Sequence, residues 1–226
     1  MLEVDSIDVS IGPVAILRGV SISVPTGAMV GIVGRNGAGK TTLMRSVMGL
    51  ARLRAGNITF DGADLGATPA HGRTRLGIGF APEDRRLVPD LTVEENLLLP
   101  CWALGTADAE TRLALAYTLI PEAREFSARR AVQLSGGQQK LVAIGRALMT
   151  GTSLLLLDEP FEGVAPALSK RIAEVVSALR PQGLSIVLSG ADLQHAGSGL
   201  DRVYRIDRGQ IVGIQRQQRR PGAAWN

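Results

Sequence analysis

Long hydrophobic runs are missing from this chain of 226 residues: the longest strongly apolar stretch is Leu154 to Leu157, ahead of Asp158. That is far short of the roughly 20 residues a membrane-spanning helix needs, so no bilayer crossing is expected. Cysteine is nearly absent too. Cys101 stands alone, which excludes an internal disulfide and a cysteine-built metal centre and leaves it the ordinary role of a small buried hydrophobe. The opening Met1-Leu2-Glu3-Val4-Asp5 has no basic head, apolar run or small-residue cleavage site, so the expectation is a cytoplasmic product without an export signal. No internal repeat or low-complexity linker is visible. The 45% hydrophobic and 20% charged content belongs to a globular chain able to bury a sizeable core.

Charge of one sign is also scarce. A formal excess of +4, with neither a concentrated basic stripe nor interleaved aromatics, excludes nucleic acid as an expected partner. Only the tail is locally basic, with Arg216, Arg219 and Arg220 beside Pro221-Gly222, and a solvated end explains it. Among the 25 basic residues just three, Lys40, Lys140 and Lys170, are lysine. Each lysine kept in so arginine-rich a chain invites a chemical reason.

What is present is an alternation of strand and helix patterns. Leu2 to Val9, Val20 to Val24, Met29 to Val33, Ile58 to Phe60, Gly77 to Phe80, Leu154 to Asp158, Ile186 to Leu188, Val203 to Ile206 and Ile211 to Ile214 read as strands. Thr41 to Leu50, with Leu43, Val47 and Leu50 at helical spacing, reads as a helix, as do Gly137 to Leu148 and Ala167 to Leu179. From about Thr92 to Ile120 the pattern turns helical, opened by the capping box Thr92-Val93-Glu94-Glu95, and this helical block is the candidate inserted lobe. The order predicts a mainly parallel sheet covered on both faces, preceded by a β-rich opening.

Three segments carry chemistry. Gly34-Arg35-Asn36-Gly37-Ala38-Gly39-Lys40-Thr41 lies between a buried strand and a helix. Its glycines let successive amides face inward, and the helix adds the positive end of its dipole, which together form a phosphate cradle. Lys40 can reach terminal phosphate oxygens and the Thr41 hydroxyl can ligate Mg²⁺. Asp158-Glu159, at the end of an apolar strand in the same sheet, can divide the work: Asp158 holds the metal through water, and Glu159 orients or deprotonates the attacking water. Leu134-Ser135-Gly136-Gly137-Gln138-Gln139 opens another helix with a second anion-binding start. It is either a plain N-cap or a site for the nucleotide of a partner subunit.

These three segments, in this order, resemble the ABC transporter ATPases over nearly the whole chain. The resemblance implies a single α/β domain over 1–226 with a RecA-like P-loop NTPase core, an antiparallel β lobe and an inserted helical lobe. Core and β lobe take 1–84 and 132–215, the helical lobe 85–131, and a tail 216–226. It implies head-to-tail dimers with two ATP molecules between them. Each nucleotide meets Gly34, Arg35, Asn36, Gly37, Ala38, Gly39, Lys40, Thr41, Thr42 and Ile11 of one subunit and Ser135, Gly136, Gly137 and Gln138 of the other. Thr41, Asp158 and Glu83 are the implied Mg²⁺ set and Glu159 the catalytic carboxylate. Ala81 to Asn96 and Glu159 to Pro166 resemble the branched-chain amino acid importer branch, in particular its second, smaller ATPase. That branch implies a non-identical ATPase partner, two membrane permease subunits and, indirectly, a solute-binding protein. The chain would then be peripheral on the cytoplasmic side of the inner membrane.

Three positions depart from the general family. Ile11 stands where an aromatic ring stacks on adenine and supplies no π face. Glu83 replaces the loop glutamine that joins metal and water; it is a branch trait that can still ligate Mg²⁺, or else a surface acid. Ala191 stands at the switch histidine and cannot hydrogen-bond a γ-phosphate, while His195 lies four residues on. A composite site with slow hydrolysis is expected. The alternatives are a soluble ABC ATPase outside transport and a regulatory ATP-binding subunit with weak hydrolysis. The first is disfavoured by the lack of a coiled-coil insertion or fused second cassette, and the second by the retained Glu159.

Overall fold

The computed structural model describes residues 1–194 and 199–216, in which ten strands form two sheets. One is antiparallel, in the order β2 (Val14–Val24), β1 (Leu2–Ile11), β4 (Leu53–Phe60), β5 (Ala63–Asp64). The other has six strands, in the order β10 (Gln210–Arg216), β9 (Arg202–Asp207), β3 (Met29–Val33), β8 (Ser185–Gly190), β7 (Leu154–Leu157), β6 (Ile78–Ala81). Every neighbouring pair in it is parallel except β10 with β9.

The central strands of the larger sheet are apolar at successive positions because both of their faces are covered. All four leucines of β7 are buried. Leu155 and Leu157 face an apolar layer shared with α6 (Gly136–Leu148) and α7 (Pro166–Leu179), while Leu154 and Leu156 face a layer shared with α1 (Lys40–Val47) and the antiparallel sheet. In β1 only one face is covered, so the pattern alternates, yet it changes phase: Leu2 and Val4 are buried, then Ile7 and Val9. A bulge absorbs the shift. Its register slips against both neighbours lie between Val4 and Asp8, Ser6 takes φ 49°, and Gly56 of β4 lies so close that a Cβ there would sit 2.4 Å from the Ser6 carbonyl oxygen.

Two sequence expectations change here. The helical stretch from 92 to 120 is two helices, α3 (Val93–Leu104) and α4 (Ala109–Leu119), because Gly105 closes the first in a left-handed cap with φ 65°. Leu50 does not share the buried face of Leu43 and Val47: α1 ends at Val47, Gly49 turns the chain at φ 72°, and Leu50 is exposed. The cause is a local glycine cap, with the Gly49 amide on the Ser46 carbonyl at 3.0 Å and the Leu50 amide on the Arg45 carbonyl at 2.8 Å; it is reinforced by Arg73, at the end of the short α2 (Ala70–Arg73). Its buried guanidinium donates to the Ser46 and Val47 carbonyls at 2.8 and 2.6 Å and so satisfies the last turn of α1 from outside.

The Thr92 and Glu95 capping box is present as expected. Main-chain bonds from Val93 to Arg129 and from Ala131 to Leu91, both 2.9 Å, close the base of the helical segment. Val93, Leu97, Cys101, Ala116 and Ile120 join the same apolar layer as α6, so α3, α4 and α5 (Pro121–Glu125) have no separate core. Cys101 is buried there. Arg216 of the expected tail is the last residue of β10, paired with Arg202; 217–226 lie outside the described residues. No helix among the described residues is long and apolar enough to cross a membrane.

Candidate functional site

Strands β3, β8 and β7 lie side by side and parallel, so their carboxyl ends open on one edge, where ligands of α/β sheets gather. Residues 34–39 leave β3 and enter α1. Gly34 donates its amide to the Gly190 carbonyl at 3.2 Å, and Ala38 bonds back to Arg35 at 3.0 Å. A Cβ at Gly34 would stand 2.3 Å from the Ile206 carbonyl oxygen, and Gly39 takes φ 111°, beyond the reach of an L side chain. The first turn of α1 has neither a capping side chain nor an acidic residue. Its unpartnered amides and dipole form an anion-binding start.

Lys40 is 3% exposed. Its Nζ donates to the carbonyls of Gly34 and Arg35 at 2.7 and 3.0 Å and pairs with Glu159 Oε1 at 3.1 Å. The loop lysine and the second acid of the Asp158-Glu159 pair, 119 positions apart in sequence, therefore meet in space. Burial pushes the Glu159 carboxyl above its ordinary range; the Lys40 hydrogen bond opposes the shift and nearby Glu162 reinforces it. Glu159 also has left-handed backbone, φ 49°, a conformation costing about 1 kcal/mol for an L residue.

Ser189, fully buried on β8, is a site residue that the sequence did not single out. Its Oγ donates to Asp158 Oδ1 at 2.7 Å and accepts the Glu159 amide at 2.9 Å. Its signal was weak: one of two serines in β8, at the end of the strand near the sheet edge. Asp158 Oδ2 is buried with no hydrogen-bond partner, a costly state for a carboxylate oxygen unless a cation or water meets it. That orphan oxygen fits a divalent ion. Among the described residues no three His, Cys, Asp or Glu side chains gather closely enough to hold one unaided, so the remaining ligands have to include hydroxyl, water or substrate oxygens, as suits Mg²⁺.

At the start of α6, Ser135 Oγ accepts the Gln138 amide at 3.3 Å and Gln138 Oε1 accepts the Ser135 amide at 2.9 Å. Ser135 and Gly136 are exposed, and Gly137 packs so tightly that a Cβ would meet Leu168 at 2.4 Å. Arg85, in left-handed backbone with φ 63°, lies alongside and donates to Gln139 Oε1 at 3.2 Å. Arg146 holds that loop by its Arg85 and Arg86 carbonyls, both at 2.7 Å.

Of the remaining expected residues, Arg35, Asn36 and Gly37 are exposed at the loop tip, Ala38 is buried, and Thr41 and Thr42 are half-buried at the start of α1. Ile11 is exposed at the end of the β1–β2 hairpin, opposite Val14. Glu83 and Ala191 are both exposed, Ala191 just after β8. His195 lies outside the described residues.

Comparison with known proteins decides the family. The ABC transporter family model matches residues 17–162. The high-affinity branched-chain amino acid transport ATP-binding protein of Pseudomonas aeruginosa is 36% identical over 94% of the chain and 91% of its own length. The chain belongs to the ABC transporter family. The lipopolysaccharide export system ATP-binding protein of Escherichia coli K12 is 34% identical over 87% of the chain and 83% of its own length. A nucleotide-free ATP-binding cassette from an ABC transporter superposes with a TM-score of 0.85 at 29% identity, covering 96% of the chain and 92% of the other. As an ABC ATPase, this chain binds and hydrolyses ATP with a P-loop fold of the expected class.

Proposed function

We propose that this ABC ATPase powers an importer for branched-chain or other amino acids or related small polar solutes. It acts as a peripheral subunit on the cytoplasmic side of the inner membrane, beside a non-identical ATPase, two permeases and, indirectly, a solute-binding protein. The observation that carries the catalytic part is the buried pair of Lys40 with Glu159, next in sequence to buried Asp158 with its unpartnered carboxylate oxygen, at the edge of β3, β8 and β7. The amino acid reading is supported by the Pseudomonas aeruginosa relative and by a probable branched-chain amino acid transport ATP-binding protein of Archaeoglobus fulgidus, 32% identical over 87% of the chain.

In this reading the amides of 34–39 and the start of α1 bind the phosphates, with Thr41 and Thr42 behind them, and Ile11 covers the base. Thr41, Asp158 and Glu83 would hold Mg²⁺, which would shield the charge of the terminal phosphates. Lys40 gives up its contacts to the loop carbonyls and Glu159 in exchange for phosphate oxygens. Glu159, with its proton affinity raised by burial, is suited to take a proton from the attacking water. The exposed Ser135 and Gly136, with the half-buried Gly137 and Gln138 behind them, meet the nucleotide held by a partner, so loss of the γ-phosphate releases the dimer.

A second reading, export of a lipid-linked saccharide, is favoured by the Escherichia coli relative. Proteoliposomes holding the chain with its membrane partners separate the two. ATP-dependent accumulation of radiolabelled leucine that Lys40→Ala abolishes supports import; lipid extraction without leucine uptake favours export. Absence of ATP-driven movement, despite single-turnover hydrolysis, leaves the soluble or regulatory alternatives.

A further inference from the structure

Two of the three lysines are buried, and only Lys40 belongs to the phosphate loop. Lys140 stands in the second turn of α6, 7% exposed. Its Nζ donates to the main-chain carbonyl of Glu159 at 2.8 Å and to that of Glu162 at 2.7 Å. The Glu159 carbonyl also accepts the Glu162 amide at 3.2 Å. Residues 159–162 thus form a turn whose two ends converge on one ammonium. The first residue of that turn has the left-handed backbone, which an L residue keeps only where its surroundings impose it. Ser189 fixes the amide of Glu159 and Lys140 its carbonyl, so both sides of that residue are held.

The residue type matches the task. An ammonium is a compact donor that can serve two converging carbonyls, whereas a guanidinium is a longer planar fork. The scaffold behind it is rigid, since Leu141, Ile144 and Leu148 of α6 are buried. Holding a charge here is costly: burial pushes the Lys140 pKa down and Arg85 adds to that, while Glu83, Glu162 and Glu159 favour the charged form. An apolar side chain would fill the same space without that cost.

We infer that Lys140 is a positioning residue for ATP hydrolysis: by gripping the 159–162 turn it fixes the backbone of Glu159 and so aims the carboxylate that works on the attacking water. The inference rests on the reading of Glu159 given above. It makes no contact with the phosphate loop necessary, so nucleotide binding and hydrolysis respond differently to its loss.

The test is a double-mutant cycle on the full chain. Single-turnover hydrolysis and nucleotide affinity are measured, with a fluorescent ATP analogue as the binding probe, for Lys140→Met, Glu159→Gln and the pair. Lys140→Met lowers the hydrolysis rate about tenfold or more while affinity stays within about threefold, and in the Glu159→Gln background it lowers the residual rate less than about twofold, because the group it aims is gone. Equal losses in both backgrounds, or an unchanged rate, overturn the proposal. Should Lys140→Met not fold, as judged by circular dichroism, Lys140→Gln takes its place in the same cycle. A Glu159→Gln variant with an undiminished rate is a different failure: it removes Glu159 from the chemistry, and this role of Lys140 with it.

Discussion

Two helices of this chain begin at glycine-rich segments, and they begin in opposite ways. At α1 the N-cap is Gly39 in a left-handed conformation, no side chain caps the first turn, and the lysine that follows is buried. At α6 the start is exposed, and Ser135 and Gln138 satisfy each other's amides in a full capping box. On the proposed reading, the difference separates the half of a composite site that grips the phosphates from the half that closes over a partner's nucleotide. The uncapped start of α1 carries Lys40, already paired with Glu159, whereas the start of α6 is capped by its own side chains and is stable without a ligand. A partner's nucleotide would meet a surface already formed.

The sharpest way to break this comparison is at α1. Lys40→Ala removes the cation from the phosphate loop and leaves Glu159 buried without its partner; ATP affinity falls at least about a hundredfold, and the fold loses about 3 kcal/mol, since breaking a buried pair strands the remaining charge. Equilibrium nucleotide binding and thermal unfolding check both effects. Glu159→Gln divides the two properties: hydrolysis falls about a hundredfold or more while ATP affinity stays within a few fold. At α6, Ser135→Arg leaves ATP binding by the isolated chain unchanged but abolishes ATP-dependent dimerisation, measured by light scattering. If binding by the isolated chain collapses instead, the two helix starts serve one site and the contrast between them fails.

Smaller effects sharpen the account. Ile11→Tyr places a ring at the exposed end of the β1–β2 hairpin and tightens ATP binding by about 1 kcal/mol, the worth of aromatic stacking; an unchanged titration discards the base contact. The ion pair of Glu122 on α5 with Arg171 on α7 ties the helical segment to the core, with Arg171 Nη2 and Glu122 Oε2 at 3.0 Å, and the Arg171 hydrogen bond holds the Glu122 carboxyl below the usual carboxylate range. A depressed carboxylate stabilises the fold above its unfolded pKa and loses that contribution as pH falls through the folded value. Both groups are partly exposed, so the effect is below about 1 kcal/mol. Glu122→Gln therefore lowers the melting temperature slightly at pH 7 and not at pH 3, which differential scanning calorimetry can follow.

Much of the sheet was legible because its signals are local. The four leucines of β7, the apolar β3 and the Thr92 capping box each announce themselves within a few residues, and the glycine spacing of 34–39 permits few backbones other than a tight turn into a helix. The reading slipped at one local cap and at places that depend on distant partners. Leu50 leaves the helix face because the adjacent Gly49 caps α1, a local signal passed over, and the phase change in β1 needs Gly56 of another strand to admit the bulge. Ser189 was passed over because nothing in the strand's pattern tells it from Ser185 at the other end.

Sequence alone determined the kinds of chemistry: a phosphate cradle, a lysine, two adjacent acids and a second capped helix start, each encoded in a short run of residues whose backbone preferences are intrinsic. Only the tertiary structure decided which of them meet. The parallel order of β3, β8 and β7 brings Lys40 to Glu159 and Ser189 to Asp158, and the packing of α6 brings Lys140 to the turn after Glu159. Burial then does what no motif can state: it raises the proton affinity of one carboxylate and leaves an oxygen of its neighbour without a partner, because groups taken from water must find compensation from one another.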